Sequence, residues 1–115
     1  MPGIQRIGES SRWSDVVIHR GVAQWVEVAN DLALDAPGQI SQVLSQIDGT
    51  LEQLGCSRDR LLQILIFLSD LEYVPALNTL WDAWVPQGHA PVRACVQAGL
   101  GEGCLVEMVI MAASE

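Results

Sequence analysis

From Pro37 to Gly55 the chain carries a single apolar stripe. Ile40, Val43, Leu44, Ile47, Leu51 and Leu54 recur at spacings of three and four, with Gln39, Gln42, Ser45, Gln46 and Gln53 filling the other face. A helix of this kind buries one side only, so it needs a flat partner, and that need constrains everything around it. Pro37 suits the first turn, Asp35 is placed to cap it, and Gly55 is placed to end it in a left-handed conformation. Upstream, Ile4 to Ile7, Asp15 to His19 and Val22 to Val28 read as strands, the last two joined by a tight turn at Arg20-Gly21. Downstream, Leu61 to Leu68 is a near-continuous apolar run, as expected of a central strand covered on both faces. A second helix starts at Pro75, carries Leu77, Leu80, Trp81, Trp84 and Val85 on one stripe, and ends before Pro86. Val92 to Ala98 and Leu105 to Ala112 read as a final pair of strands, a hairpin turning through Gly99-Leu100-Gly101-Glu102-Gly103.

The predicted order is β-β-β-α-β-α-β-β, an α+β domain spanning all 115 residues in which one mixed β-sheet packs both helices on one face. No third helix is available for the other face. A second copy of the chain is its expected cover, which makes a homo-oligomer the default.

Charge then narrows the function. Fourteen acidic residues face six basic ones, all arginine, for a net charge of −8. Nucleic acid is a poor partner for such a chain, because phosphate backbones are held by clustered positive charge, and the same deficit argues against anionic membranes. No run approaches the roughly 18 apolar residues of a membrane span. The opening Met-Pro-Gly-Ile-Gln-Arg lacks the pattern of a secretory signal, so a cytoplasmic location is expected. Cys56, Cys95 and Cys104 form neither a disulfide framework nor a Cys-x-x-Cys pair, and His19 and His89 stand alone, so no metal is expected. The glycine-rich stretch at 99–103 opens no helix and carries no lysine, and reads as a turn.

One segment carries chemistry. Pro91 to Gln97 alternates strictly, setting Arg93, Cys95 and Gln97 on one face and Val92, Ala94 and Val96 on the other. A guanidinium and a thiol about 6.6 Å apart flank a space suited to a small carboxylate. On the next strand Glu107 interrupts an apolar run from Leu105 to Met111, which is costly unless the carboxylate is paired or working. Trp81 and Trp84 lie on the helix stripe and read as packing residues.

The Pro91-Val92-Arg93 strand opening, the later Val106-Glu107-Met108 strand, the Asn78-x-x-Trp81-Asp82-x-Trp84 helix and the early Arg12-Trp13-Ser14-Asp15 together resemble the reactive intermediate deaminase family, also called the RidA or YjgF family. The similarity is greatest to its RidB-like (YoaB-like) branch. The resemblance implies a chorismate-mutase-like fold and a homotrimer with ligand clefts at the subunit interfaces. It also implies hydrolysis of enamines or imines such as 2-aminoacrylate to a 2-keto acid and ammonia, with no metal or organic cofactor. In that scheme Arg93 anchors the substrate carboxylate, Cys95 touches the substrate, and Glu107 orients or deprotonates the attacking water. Where the RidA branch has a small residue followed by glycine, this chain has Val26-Glu27-Val28, so Glu27 is expected to narrow or recharge the substrate cleft. The connection from Arg93 to Glu107 is slightly shorter than usual in the family, and a one-residue change of register would turn Glu107 to the opposite face. Two other readings use the same residues: an Arg93–Glu107 ion pair that only stabilises an interface, and a non-catalytic module that binds or senses a small 2-keto or amino acid. The endoribonuclease activity ascribed to some relatives fits poorly with a charge of −8.

Overall fold

The computed structural model describes residues 3–114. Its elements are β1 (Gln5–Ile7), β2 (Val16–His19), β3 (Val22–Val28), α1 (Ala36–Gln53), β4 (Leu61–Leu68), α2 (Val74–Trp84), β5 (Val92–Gln97) and β6 (Val106–Ala113). Single 3-10 turns at Arg58–Arg60 and Leu71–Tyr73 lead into β4 and α2. The strands form one sheet in the order β1-β2-β3-β6-β4-β5, antiparallel except for β4 with β5, and both helices pack on one face. The tight β2–β3 turn forms as expected, with Arg20 at φ 51 and Gly21 at φ 76, the paired left-handed conformations that match strand twist.

The expected hairpin between the last two strands does not form. β4 lies between β5 and β6, parallel to the first and antiparallel to the second. The reason lies in α2, which fills the connection from β4 to β5; a helical crossover returns the chain to the same end of the sheet, so the two strands pair in parallel. The 98–105 connection then passes across the end of β4, where the Ala98 N–H donates to the Leu68 carbonyl at 3.0 Å and the Ser69 N–H to the Leu105 carbonyl at 3.1 Å.

β4 is also not covered on both faces within the chain. Ile64, Ile66 and Leu68 are buried beneath the helices, whereas Leu65 and Phe67 on the reverse side are only partly buried. β6 repeats the pattern, with Val106, Met108, Ile110 and Ala112 buried and the residues between them half-open. On the reverse side of β3, Val26 and Val28 are exposed. The sheet thus presents an apolar open face that its own helices do not reach.

α1 begins where the sequence places it, with the Asp35 Oδ1 accepting the Gly38 N–H at 2.9 Å and Pro37 in the first turn. Its apolar stripe is buried as expected, but Gln39 departs from the polar face and is fully buried. Its amide donates to the carbonyls of Leu34 (3.1 Å) and Gly103 (2.9 Å), and more loosely to Leu32 (3.3 Å), while its Oε1 accepts the Leu105 N–H at 2.9 Å. One side chain therefore ties the loop entering α1 to the loop entering β6. At the other end of the helix layer, Asp48 accepts two bonds from Arg58, each 2.8 Å, and one from the Trp84 indole at 3.0 Å. This clamp joins α1, the Arg58–Arg60 turn and the end of α2. No helix among the described residues is long and apolar enough to cross a membrane.

Candidate functional site

β5 alternates as its sequence requires. Arg93 and Cys95 stand beside Ile64 and Ile66 and face the helices, while Val92, Ala94 and Val96 lie on the open face. The Arg93 Nη2 donates to the Asn78 Oδ1 at 2.8 Å, and the guanidinium carbon lies 5.2 Å from the centre of the Trp81 ring. Asn78 and Trp81 are three residues apart on α2, so they share the face that meets β5. Trp81 is a core residue, as expected, and its ring also carries the guanidinium. A guanidinium has five N–H donors. Asn78 engages one nitrogen, which leaves donors available at the sheet edge. Cys95 is partly buried; that burial pushes its thiol above the ordinary 9.0, opposed by the charge of Arg93, so it is a neutral thiol near pH 7. Gln97, on the same face, accepts the Leu71 N–H at 3.0 Å and secures the entry to α2.

Glu107 lies elsewhere. It stands between Val28 on β3 and Phe67 on β4, on the open face, while its neighbours Val106 and Met108 point beneath the helices. Arg93 and Glu107 are thus separated by β4 and face opposite sides of the sheet. They form no ion pair within the chain, and Glu107 makes no hydrogen bond among the described residues.

Glu107 instead lines a cavity of about 740 Å³ together with Glu27. β2 pairs with β3 only as far as Gln24, whereas β3 continues along β6 to Val28. The free edge beyond Gln24 borders the cavity, which is why side chains from both sheet faces reach it. Trp13, Ser14 and Asp15, at the end of the 8–15 loop, form part of its wall. This loop is closed at its base by the Asp15 N–H donating to the Ile7 carbonyl at 2.6 Å, and Gly8 at φ 132 turns the chain there. A Cβ at Gly8 would fall 2.8 Å from the Asp15 nitrogen, so only glycine fits. The loop presents Trp13, 66% exposed, to the cavity mouth. From the helix side, the Glu27 Oε2 accepts a hydrogen bond from the Thr50 hydroxyl at 3.2 Å. Burial raises the Glu27 carboxyl above its ordinary 4.5, opposed by interactions with Thr50, Gln46 and Trp25.

Of the four residues singled out by sequence, the structure therefore brings Arg93 and Cys95 together on one surface, and Glu27 and Glu107 to one cavity from opposite faces of the sheet. Asn78, Trp13 and Thr50 were not assigned roles by sequence. The i, i+3 spacing of Asn78 and Trp81 carries a signal for the first. Thr50 carries none, because its partner lies 23 residues away.

A family model described as Endoribonuclease L-PSP matches residues 4–114. The chain is 47% identical over 97 residues to the RutC family protein YoaB of Escherichia coli (strain K12), a match covering 84% of this chain and 85% of that one. The crystal structure of an uncharacterized protein from Pseudomonas aeruginosa is similar with a TM-score of 0.92 and 35% identity, over 98% of this chain and 100% of that one. A member of the YjgF protein family from Neisseria meningitidis is similar with a TM-score of 0.91 and 33% identity, over 98% and 96% of the two chains. Two helices on one face of a six-stranded mixed sheet constitute the chorismate-mutase-like fold that this chain shares with them.

Proposed function

The chain belongs to the RidA/YjgF family, and on that premise we propose that it is a hydrolytic deaminase of small imines and enamines, with clefts assembled between the subunits of a homotrimer. The observation that carries this reading is the division of the site. Arg93 is held by Asn78 and Trp81 with donors to spare, and Glu107 makes no hydrogen bond or ion pair among the described residues. Neither half suffices alone. In this reading a second copy seats on the apolar open face that carries Val26, Val28, Leu65, Phe67 and Val109, and its edge strand β5 meets the first copy's Glu107 cavity.

In the assembled cleft Arg93 binds the substrate carboxylate through its planar donor pair. Glu107 takes a proton from water as the water oxygen bonds to the imine carbon, and the imine nitrogen is protonated. The resulting carbinolamine expels ammonia and leaves the 2-keto acid. An enamine such as 2-aminoacrylate enters by accepting a proton on its terminal carbon, which makes it an imine. Cys95, as a neutral thiol, lines the anchor side and is not the nucleophile.

The test is to generate an imine from an amino acid with an oxidase or a dehydratase and follow its loss with and without the protein. Acceleration by wild type, lost in Arg93→Ala, is the expected result. No acceleration across several precursors, with 2-keto acids still bound, would instead make the chain a binding module built on the same arginine. Cleavage of RNA, the activity in the family model's name, finds no support in a chain of net charge −8.

A further inference from the structure

The stripe of α2 that holds the anchor continues past it. Asn78 bonds Arg93 and Trp81 lies under its guanidinium; three residues further on, Trp84 packs against Trp81 with ring centres 5.6 Å apart and planes inclined at 49°. Trp84 is the last residue of the helix, and both of its polar groups are engaged. Its indole N–H donates to the Asp48 Oδ1 at 3.0 Å, and its carbonyl, one of those a helix end leaves without an internal partner, accepts the Arg58 Nη1 at 2.9 Å. Arg58 in turn stands 5.3 Å from the centre of the Trp84 ring and gives Asp48 two bonds of 2.8 Å. The result is a continuous stack, Arg58–Trp84–Trp81–Arg93, with a guanidinium at each end and a carboxylate gripping the outer indole. Both rings are buried, so neither turns without moving its neighbour.

From this stack we propose that Asp48 is a positioning residue for the substrate anchor: by fixing the Trp84 indole it fixes the Trp81 face on which the Arg93 guanidinium rests. The proposal rests on the reading of Arg93 as the group that binds the substrate carboxylate. A cation is drawn to the face of an indole and not to its edge, because the ring's quadrupole is negative above the plane and positive around it. The Asn78 bond holds one nitrogen of the guanidinium and leaves its plane free to swing about that point. The Trp81 face sets the plane, and a bidentate grip on a carboxylate needs the plane set. Asp48 stands on α1 and acts through the two rings.

The experiment measures pyruvate affinity by calorimetry, the KM and kcat of imine hydrolysis, melting temperature, and the NMR resonance of the Arg93 Nε–H in ligand-free protein, assigned by its absence in Arg93→Lys. Asp48→Ala should weaken pyruvate about fivefold and raise KM in step, with kcat within about twofold of wild type. Its Arg93 resonance should move, because the ring current of Trp81 acts on that proton. Asp48→Asn loses the ion pair to Arg58 but keeps an oxygen for the Trp84 indole, so it should melt as low as the alanine variant and still bind within about twofold of wild type. Trp84→Phe should match Asp48→Ala in affinity, and the double variant should be no weaker than either single one. Unchanged affinity in Asp48→Ala, or equal losses in the alanine and asparagine variants, would overturn the proposal and leave Asp48 a clamp between elements. A wild type that binds no pyruvate and hydrolyses no imine would overturn the anchor reading instead. The ligand-free Arg93 resonance then still decides the stack: moved in Asp48→Ala it upholds the control of the guanidinium by Asp48, and unmoved it overturns it.

Discussion

The two halves of the site are built differently. Arg93 sits on a strand, packs against a core tryptophan and is hydrogen-bonded to Asn78 on the same helix, so its position is set by elements that hold the fold together. The acidic half is made from a loop, a free strand edge and the end of a sheet, with an exposed indole and carboxylates that meet no cation among the described residues. The contrast teaches a division of labour. Under the proposed function, the carboxylate that every substrate shares meets a rigid anchor, and the remainder of the substrate meets a wall built partly from a surface loop.

That contrast can be attacked from either side. The largest effect belongs to Arg93→Ala, which should cost about 2–5 kcal/mol of ligand or transition-state binding, a loss of roughly 30-fold or more in kcat/KM. Arg93→Lys should recover part of it, since the charge remains and the fork is gone. Full activity in the alanine variant would remove the anchor from the account. Gln39→Leu strikes the frame that holds the loops entering α1 and β6. It takes from the part-buried Gly103 and Leu34 carbonyls and the Leu105 N–H their Gln39 partner, at about 1–3 kcal/mol of stability, read as a shift in denaturant midpoint. Asn78→Ala should cost about 1 kcal/mol, roughly fivefold, equally for every carboxylate substrate. A change that depends on the side chain would contradict the separation of the halves. Cys95→Ala should stay within about threefold of wild type, because a thiol raised above 9.0 is not the working nucleophile; a thousandfold loss would show otherwise.

The smallest effect concerns pH. Burial raises Glu27 above its ordinary 4.5, so the folded chain holds this proton more tightly than the unfolded one. The stability this proton contributes is complete below 4.5 and is lost as pH rises through the higher folded value. Glu27→Gln should therefore melt at a higher temperature than wild type at pH 7, and the gap should close as pH falls toward 4. Melting curves across that range, with a gap that does not move, would show that the ionisation is not felt.

What could be read from sequence was what repeats locally. The stripe from Ile40 to Leu54, the Arg20-Gly21 turn and the alternation of Arg93 and Cys95 each depend on neighbours a few residues away, and each appears as expected. The strand order did not, because whether β5 pairs with β4 or with β6 is settled by a crossover helix and not by the residues of the turn. The face of Glu107 relative to Arg93 depends on that order, so it too was hidden. Gln39 sits within a row of glutamines that look alike in sequence, and only the loops at 32–34 and 103–105 make it a core residue. The homotrimer is an expectation from the family resemblance alone, and the separation of Glu107 from Arg93 is the reason the proposed cleft draws on a second chain.

The central claim is that each cleft takes Arg93 from one subunit and Glu107 from the next, and mixing two inactive variants tests it most directly. Arg93→Ala and Glu107→Gln should each be inactive alone. Refolded together in equal amounts, with mixed trimers verified by mass, every mixed trimer contains one cleft that has both groups, so about a quarter of wild-type activity should return. If the mixed trimers form and activity stays at the level of the parents, the two residues do not share a cleft across subunits, and the account given for this site is wrong.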